Sequence, residues 1–335
     1  MSVKVDVLYH LVLRLIRMLN AYCKVVPSVT HLVDIYAPVT INFNCLYRLW
    51  HTGRLLMLPL LRFFALCSLW LLAACANHAG MAVREEAAQP VPDTAEQCAQ
   101  ALAGKNRRQL GELNSADISL VNWNIHKGAD QGWVKDLDFF GEGPSLMIFQ
   151  EAALNGASLE SVSADYHQSF APGYQTRQAL TGVMTLSTVQ PITQCRLTNL
   201  EPWLRTPKAT MITEYGLTDT DQTLLVINVH AINFALGVTD FRKQIEQAHI
   251  IIAAHSGPVL LSGDFNTWRD RRLSIVQEIA VSLGLATLKF DQDYRKRAFG
   301  QPLDHIYVRG LTVLEATTRK VSTSDHNPMS VRLRM

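Results

Sequence analysis

From residue 118 onward the sequence returns to short runs rich in Val, Ile, Leu and aromatics, and most of them meet a polar residue near one end. The runs are ISLVNWNI (118–125), LMIFQE (146–151), TGVMTLST (181–188), ATMITEYGL (209–217), LLVINVHAIN (224–233), VLLSGDFN (259–266), DHIYVRGLTV (304–313) and PMSVRLRM (328–335). Apolar residues at alternating or continuous positions over such lengths read as strands, half-buried or fully buried. Two longer stretches carry helical spacing. Residues 239–255 open with Thr239-Asp240, which suits a cap, and place Phe241, Ile245, His249 or Ile250, and Ile252 near one face. Residues 270–283 form the second. No repeat and no linker interrupts the region. The pattern predicts an α/β fold, one layered domain of two packed sheets with outer helices over residues 116–335.

Composition supports a folded body. Of 335 residues, 48% are hydrophobic and 18% charged, which excludes a chain too polar to offset its ordering entropy. Charge is unevenly placed. Residues 1–75 hold 7 Lys and Arg against 2 Asp and Glu, leaving 24 basic and 27 acidic residues in the remaining 260. A body with a small acidic excess does not coat nucleic acid through bulk charge, so an anionic ligand must be held by local groups or by a metal.

The polar residues at strand ends carry most of the information. Asn124 ends the first run and Glu151 the second; His230 and Asn233 sit in INVHAIN, Asp264 and Asn266 in LSGDFNTW, Asp304 in LDHIYV, and Asp325 and His326 in SDHNPMSV. One Asp or Glu at a strand end is usually a cap or a surface charge, but here six separate ends carry carboxylate, amide or imidazole groups. In chain order the motifs are WN (123–124), QE (150–151), N-x-H (228–230), GDFN (263–266), LDHI (303–306) and SDHNP (324–328). In this order they resemble the endonuclease/exonuclease/phosphatase superfamily, which includes DNase I-like nucleases, inositol polyphosphate phosphatases and neutral sphingomyelinases. NVHAINFALG and LSGDFNTW are most similar to a bacterial subgroup of it.

That resemblance implies a DNase I-like four-layer sandwich of two mixed β-sheets flanked by helices. It also implies a Mg²⁺-dependent phosphoesterase, with Mn²⁺ as an alternative ion, hydrolysing a phosphodiester in nuclease-like fashion; DNA and RNA are candidate substrates. A lipid or small phosphate ester is the alternative substrate, and a non-catalytic envelope binding protein the alternative from another class. Glu151 is a hard carboxylate suited to Mg²⁺; Asn124 supplies an amide oxygen beside it or positions a phosphate, and Asp325 is a second candidate ligand. His326 is the expected acid/base group, with Asp304 fixing its tautomer as the resemblance implies. Asp264 would orient or deprotonate water, Asn266 would donate to a phosphoryl oxygen, and His230 would donate to a second oxygen or the leaving group. Strand alternation points His305 away, as a structural residue. The sequence departs from several nucleases of the family after WN, where His126-Lys127-Gly128 stands in place of an acidic residue. A second metal is therefore not expected there, and Lys127 becomes a candidate phosphate contact. Arg269 and Arg297, in RDRR and YRKR, form a candidate basic rim for the substrate, or a solvated loop.

Residues 57–75 (MLPLLRFFALCSLWLLAAC) put Arg62 before twelve uncharged residues and end in Leu-Ala-Ala-Cys. This resembles a bacterial lipoprotein signal, cut before a Cys75 that is then lipidated. The run spans about 18–21 Å as a helix, short of the ~30 Å hydrocarbon core. The expected location is the bacterial cell envelope, facing the periplasm and membrane-anchored through Cys75. The alternative is a cytoplasmic or inner-membrane protein with an uncleaved segment. Residues 1–56 read as an extension from an over-long start assignment, or as an amphipathic membrane helix over 3–20. Residues 76–115 read as a tether with a short helix near Thr94–Ala103. Once the leader is removed, Cys98 and Cys195 remain, either bridged or as two buried thiols.

Overall fold

The structure is a computed structural model that describes residues 90–103, 111–130, 132–140, 143–154, 157–177 and 179–335. The chain divides into two units, Met1–Ala88 and Gln89–Met335, and every described residue belongs to the second. The expected extension (1–56), the lipoprotein-like segment (57–75) and the start of the tether lie outside the described residues.

Strands are numbered in chain order. One sheet has seven strands: β1 (Glu112–Leu113), β7 (Pro207–Leu217), β8 (Thr223–His230), β9 (Val259–Asp264), β13 (Asp304–Arg309) and β10 (Ala286–Thr287) in that order, with β6 (Thr193–Leu200) also pairing β7. The other has six, ordered β14 (Thr312–Thr318), β15 (Met329–Arg334), β2 (Ile118–Asn124), β3 (Leu146–Leu154), β5 (Leu180–Ser187) and β4 (His167–Gln175). Both sheets are mixed: β8–β9 and β2–β3 run parallel, while β7–β8 and β9–β13 run antiparallel. A small hairpin, β11 (Arg297–Ala298) and β12 (Gln301–Pro302), stands apart.

Three apolar clusters define four layers. Between the sheets, Leu120 and Ile148 pack with Tyr215, Val226, Leu260 and Ile306. On the far side of the seven-stranded sheet, α1 (Ala95–Leu102), α4 (Thr239–Ala253) and α5 (Asp270–Ser282) bury residues such as Leu102, Phe241, Ile252 and Ile275 against Ile227 and Leu261. On the far side of the six-stranded sheet, Trp133 of α2 (Trp133–Leu137) and Leu159 of α3 (Ala157–Ser163) cover Trp123, Phe149 and Met184. The period-2 alternation of β2 explains the split, because Ile118 and Leu120 face one layer and Val121 and Trp123 the other. This is the two-sheet, helix-flanked DNase I-like fold that the motif order implied.

Local details differ from the sequence reading. In α4 the N-cap is Val238, without a side-chain cap bond, and Thr239 is already helical. Its buried face is Phe241, Gln244, Ile245, Ala248, Ile251 and Ile252, whereas Ile250 is exposed. Gln244 belongs there because its amide links Ile232 N and His230 O. The run 304–313 breaks at Gly310 (φ 66) into β13 and β14. Cys98 of α1 and Cys195 of β6 form a disulfide, with Cα atoms 5.8 Å apart, which ties the first helix to the sheet.

Candidate active site

Strand register assembles the site. His230 on β8 pairs opposite Asp264 on β9, and Asp264 opposite Asp304 on β13, so one row of pairings lines up three functional groups. In the other sheet, Asn124 at the end of β2 pairs opposite Gln150, which places Asn124 next to Glu151. The loop before β15 delivers His326: Trp123 Nε1 donates to its carbonyl at 2.9 Å, and Ser324 Oγ donates to Asn124 O at 2.7 Å while accepting from His326 N at 3.2 Å. Buried amides lock the two sheets together. Gln150 Nε2 donates to Asn122 Oδ1 (3.1 Å) and Asn228 Oδ1 (2.8 Å), and Ser262 Oγ donates to Asn122 Oδ1 (2.9 Å). Close approach of β9 to β8 requires Gly263: its φ is 149°, and a Cβ there would lie 2.0 Å from Val229 O.

Asp264 is the hub. Its Oδ2 accepts from Asn124 Nδ2 at 3.1 Å and lies 3.7 Å from His230 Nε2 and 3.9 Å from His326 Nε2. Its Oδ1 accepts from Asn266 N at 3.0 Å, closing a turn in which Asn266 takes φ 50°. Asn266 Nδ2 donates to Ala231 O at 3.0 Å. His326 Nδ1 meets Asp304 Oδ2 at 2.8 Å, which turns Nε2 toward Asp264. Burial alone would push the His326 imidazole down; the Asp304 and Asp264 carboxylates outweigh it and push it up to about 10. Burial pushes Asp264 up to about 6, partly offset by His326 and reinforced by Asp304. The result is a charged imidazole held beside a carboxyl poised to exchange protons near neutrality.

Glu151 owes its direction to a bulge. Register between β3 and β5 shifts from Phe149–Met184 to Ala152–Gly182, so Gln150 and Glu151 oppose Val183 alone, and Glu151 takes φ 51°. Burial opposes its charge; His230 when charged, and the ammonium groups of Lys127 and Lys208, outweigh that and hold the carboxyl below the usual range. Lys127, in a turn where His126 and Lys127 both have positive φ, places Nζ 2.5 Å from Glu151 Oε2.

Sequence reasoning missed Lys208. It begins an apolar strand with no motif around it, yet its Nζ lies 2.8 Å from His230 Nε2 and 4.0 Å from Glu201 Oε1. An ammonium donates, so His230 Nε2 accepts here and cannot at the same time donate to a phosphoryl oxygen. Burial, with the Lys208 charge beside it, pushes His230 well below its ordinary value, in keeping with a neutral ring. Glu201 was missed as well, and Arg272, read with RDRR as part of the basic rim, is instead buried at 1% exposure. Buried Arg272 donates to the carbonyls of Ile232 (2.5 Å), Asn266 (3.2 Å) and Asn233 (2.9 Å), bracing the loops after β8 and β9.

Other candidates sit further out. Asp325 is exposed, and it acts on His326 only through its charge. Arg269 lies 4.4 Å over the Trp268 ring, and Arg297 pairs with Asp293 at 2.6 Å. His305 turns away from the cleft, hydrogen-bonds Thr267 Oγ1 at 2.7 Å and packs on Phe265 and Tyr307. It borders a cavity of about 360 Å³ with Lys289, Asp293 and Arg295 that contains none of the cleft residues. A smaller cavity joins Glu151, Lys208 and His230 with Tyr174.

Two groups of donors suit a cation. Glu151 offers a carboxylate already neutralised by the protein's own ammonium, which is the charge balance a divalent ion would supply, and Mg²⁺ fills the rest of its shell with water. Ligand atoms of Asp264, Asp304 and His326 also lie within 4.8 Å of one another, and Asp304 Oδ1 is buried without a hydrogen-bond partner. A metal there would have to break the 2.8 Å His326–Asp304 contact, and one on Glu151 would have to displace the Lys127 ammonium.

The Endonuclease/Exonuclease/phosphatase family model matches residues 119–326, the span that holds every cleft residue described above. The chain therefore belongs to the endonuclease/exonuclease/phosphatase family, whose members are phosphoester hydrolases. It is 39% identical over 257 residues to a UPF0294 protein of Yersinia pseudotuberculosis, covering 75% of this chain and 96% of the relative. A UPF0294 protein of Yersinia enterocolitica is 38% identical over 255 residues, with 75% and 96% covered. The fold is similar to the human Nocturnin catalytic domain (TM-score 0.52, 14% identity, 68% of this chain and 97% of that one). It is also similar to an endonuclease/exonuclease/phosphatase from Beutenbergia cavernae (TM-score 0.51, 15% identity, 66% and 72% covered).

Proposed function

We propose that the cleft hydrolyses a phosphodiester with Mg²⁺, or Mn²⁺ in its place, held by Glu151 with Asn124 beside it. The observation that carries this reading is the cluster in which Asn124 donates to Asp264 Oδ2, His326 Nε2 lies 3.9 Å from the same oxygen, and Asp304 holds His326. Bound metal would neutralise charge on the phosphoryl oxygens. Asp264, with its carboxyl near 6, accepts the proton of the attacking water. His326, charged and fixed by Asp304, stabilises the developing phosphorane charge through Nε2–H and gives that proton to the leaving oxygen as the P–O ester bond breaks, leaving a phosphate monoester and an alcohol. Lys208 is the ammonium that a non-bridging oxygen meets beside His230; once it turns to the phosphate, the His230 ring is released. Asn266 orients Asp264 through its backbone N–H.

The Cys98–Cys195 disulfide supports a body working in an oxidising compartment, and with it an envelope location through the Cys75 segment. Among the described residues no helix is long and apolar enough to cross a membrane. The test is turnover of DNA, RNA, phospholipid and inositol phosphate by the purified chain with Mg²⁺, Mn²⁺ or EDTA. Metal-dependent turnover of one class supports the reading; a chain inert toward all four, or one indifferent to EDTA, refutes it.

A further inference from the structure

Five large apolar side chains stand in solvent on loops beside the cleft: Trp203 (60% exposed), Leu204 (61%), Phe234 (55%), Leu236 (76%) and Phe299 (88%). Single exposed apolar residues are ordinary, but five on neighbouring loops are not. The loops are pinned to one another. Glu201 closes the turn that carries Trp203 and Leu204, its N–H donating to Thr206 O and its carbonyl accepting from Arg205 N. Its Oε1 accepts from Asn233 N (2.8 Å) and Phe234 N (3.1 Å). Asn233 Oδ1 accepts from Trp268 Nε1 at 2.9 Å, and Trp268 packs on Phe299 with ring centroids 6.0 Å apart. The framework reaches the chemistry directly, since Glu201 approaches Lys208 and Lys208 touches His230. Basic groups are interleaved. Arg205 is exposed next to Leu204, and the exposed Arg269 lies over Trp268.

We propose that these loops seat the cleft on the surface of a phospholipid bilayer carrying anionic headgroups, and that the ester cleaved belongs to a phospholipid of that surface. This rests on the phosphoesterase reading of the cleft. Trp203 suits headgroup depth, where an indole has one polar and one apolar environment. Leu204, Leu236, Phe234 and Phe299 suit the acyl boundary, and Arg205 and Arg269 suit anionic headgroups. Single-stranded nucleic acid also binds basic surfaces with aromatic platforms, but its bases stack on rings, and Leu204 and Leu236 offer none.

The experiment compares the full chain with a variant carrying Trp203→Ser, Leu204→Ser, Phe234→Ser and Leu236→Ser. Substrates are phosphatidylcholine–phosphatidylglycerol vesicles and soluble bis(p-nitrophenyl) phosphate. Vesicle turnover should fall at least ~10-fold in the variant while soluble turnover stays within about 2-fold. A second readout is quenching of tryptophan emission by doxyl-labelled lipid, which should be weaker in Trp203→Ser than in the parent. Equal loss on both substrates, or quenching unchanged by Trp203→Ser, overturns the proposal. So does loss of single-stranded DNA binding in the variant with vesicle binding intact. If the parent cleaves the soluble diester but not the vesicles, the lipid-ester proposal falls while the phosphoesterase reading stands; if it cleaves neither of these nor DNA, RNA or inositol phosphate, the phosphoesterase reading has failed, and the quenching result still decides the docking.

Discussion

Asp304→Asn removes one charge from the cleft and changes little in volume. In the parent, the carboxylates of Asp304 and Asp264 overcome burial and lift the His326 imidazole to about 10, with Asp304 Oδ2 2.8 Å from Nδ1. The folded value lies above the ordinary 6.5, so this pair stabilises the fold fully below about pH 6.5 and loses that contribution as pH rises through about 10. Each pKa unit corresponds to about 1.4 kcal/mol, so the rise sets a ceiling of roughly 5 kcal/mol for both carboxylates together. Asp264 remains in the variant and the freed imidazole can lose its proton, so a loss of about 2–3 kcal/mol at neutral pH is expected. For a body of this size that is a fall of roughly 5–10 °C in melting temperature, smaller at pH 10 than at pH 6. Catalysis should suffer more, by about 10²–10⁴-fold, because both orientation and charge of the imidazole are lost. Two assays check this: melting between pH 5 and 10, and turnover of a soluble diester over the same range. The parent profile should rise near pH 6 with Asp264 and hold into alkaline solution, whereas the variant should decline at lower pH. An imidazole signal titrating near 6.5 in the parent, or turnover within threefold of it in the variant, refutes the reasoning.

Three further outcomes follow from other contacts. Lys208→Met should lower diester turnover about 10–100-fold and move the His230 ring titration upward, since the ammonium 2.8 Å away is gone; NMR of the ring checks it. Cys98→Ser with Cys195→Ser should cost about 2–4 kcal/mol, read as a lower melting temperature that no longer responds to reductant. Asp293 bonds Arg295 and Arg297 and is held at about 2, so its contribution is present above pH 4 and fades as pH falls toward 2. Asp293→Asn should therefore lose about 1 kcal/mol at pH 7, allowing for solvent screening, and flatten acid unfolding in urea melts.

Much of this architecture was legible because its functional groups stand at strand ends. A strand of continuous apolar residues that closes on Asp264, Glu151 or Asn124 announces a sheet edge with chemistry on it, and the order of such ends carried the family resemblance. Strands β4 and β6 were not read, because HQSFAPGYQ and TQCRLTNL mix polar with apolar residues in the manner of half-exposed edge strands. The buried face of α4 was misjudged by one position because Gln244, a polar residue, is drawn inside by two backbone partners. Lys208 was invisible for a related reason. Its role comes from lying across β7–β8 from His230, a relation fixed by tertiary pairing and not by spacing along the chain. The docking loops were likewise unreadable, since exposure of Leu236 or Phe299 is decided only when the core has formed without them.

The sharpest single measurement is hydrolysis of a soluble phosphodiester in ¹⁸O-water with Mg²⁺, run on the parent chain, Glu151→Gln and His326→Ala side by side. The account predicts one solvent oxygen in each product phosphate and a rate lower by about 10²-fold or more in each variant. Equal rates in all three proteins, or no label in the product, would contradict it.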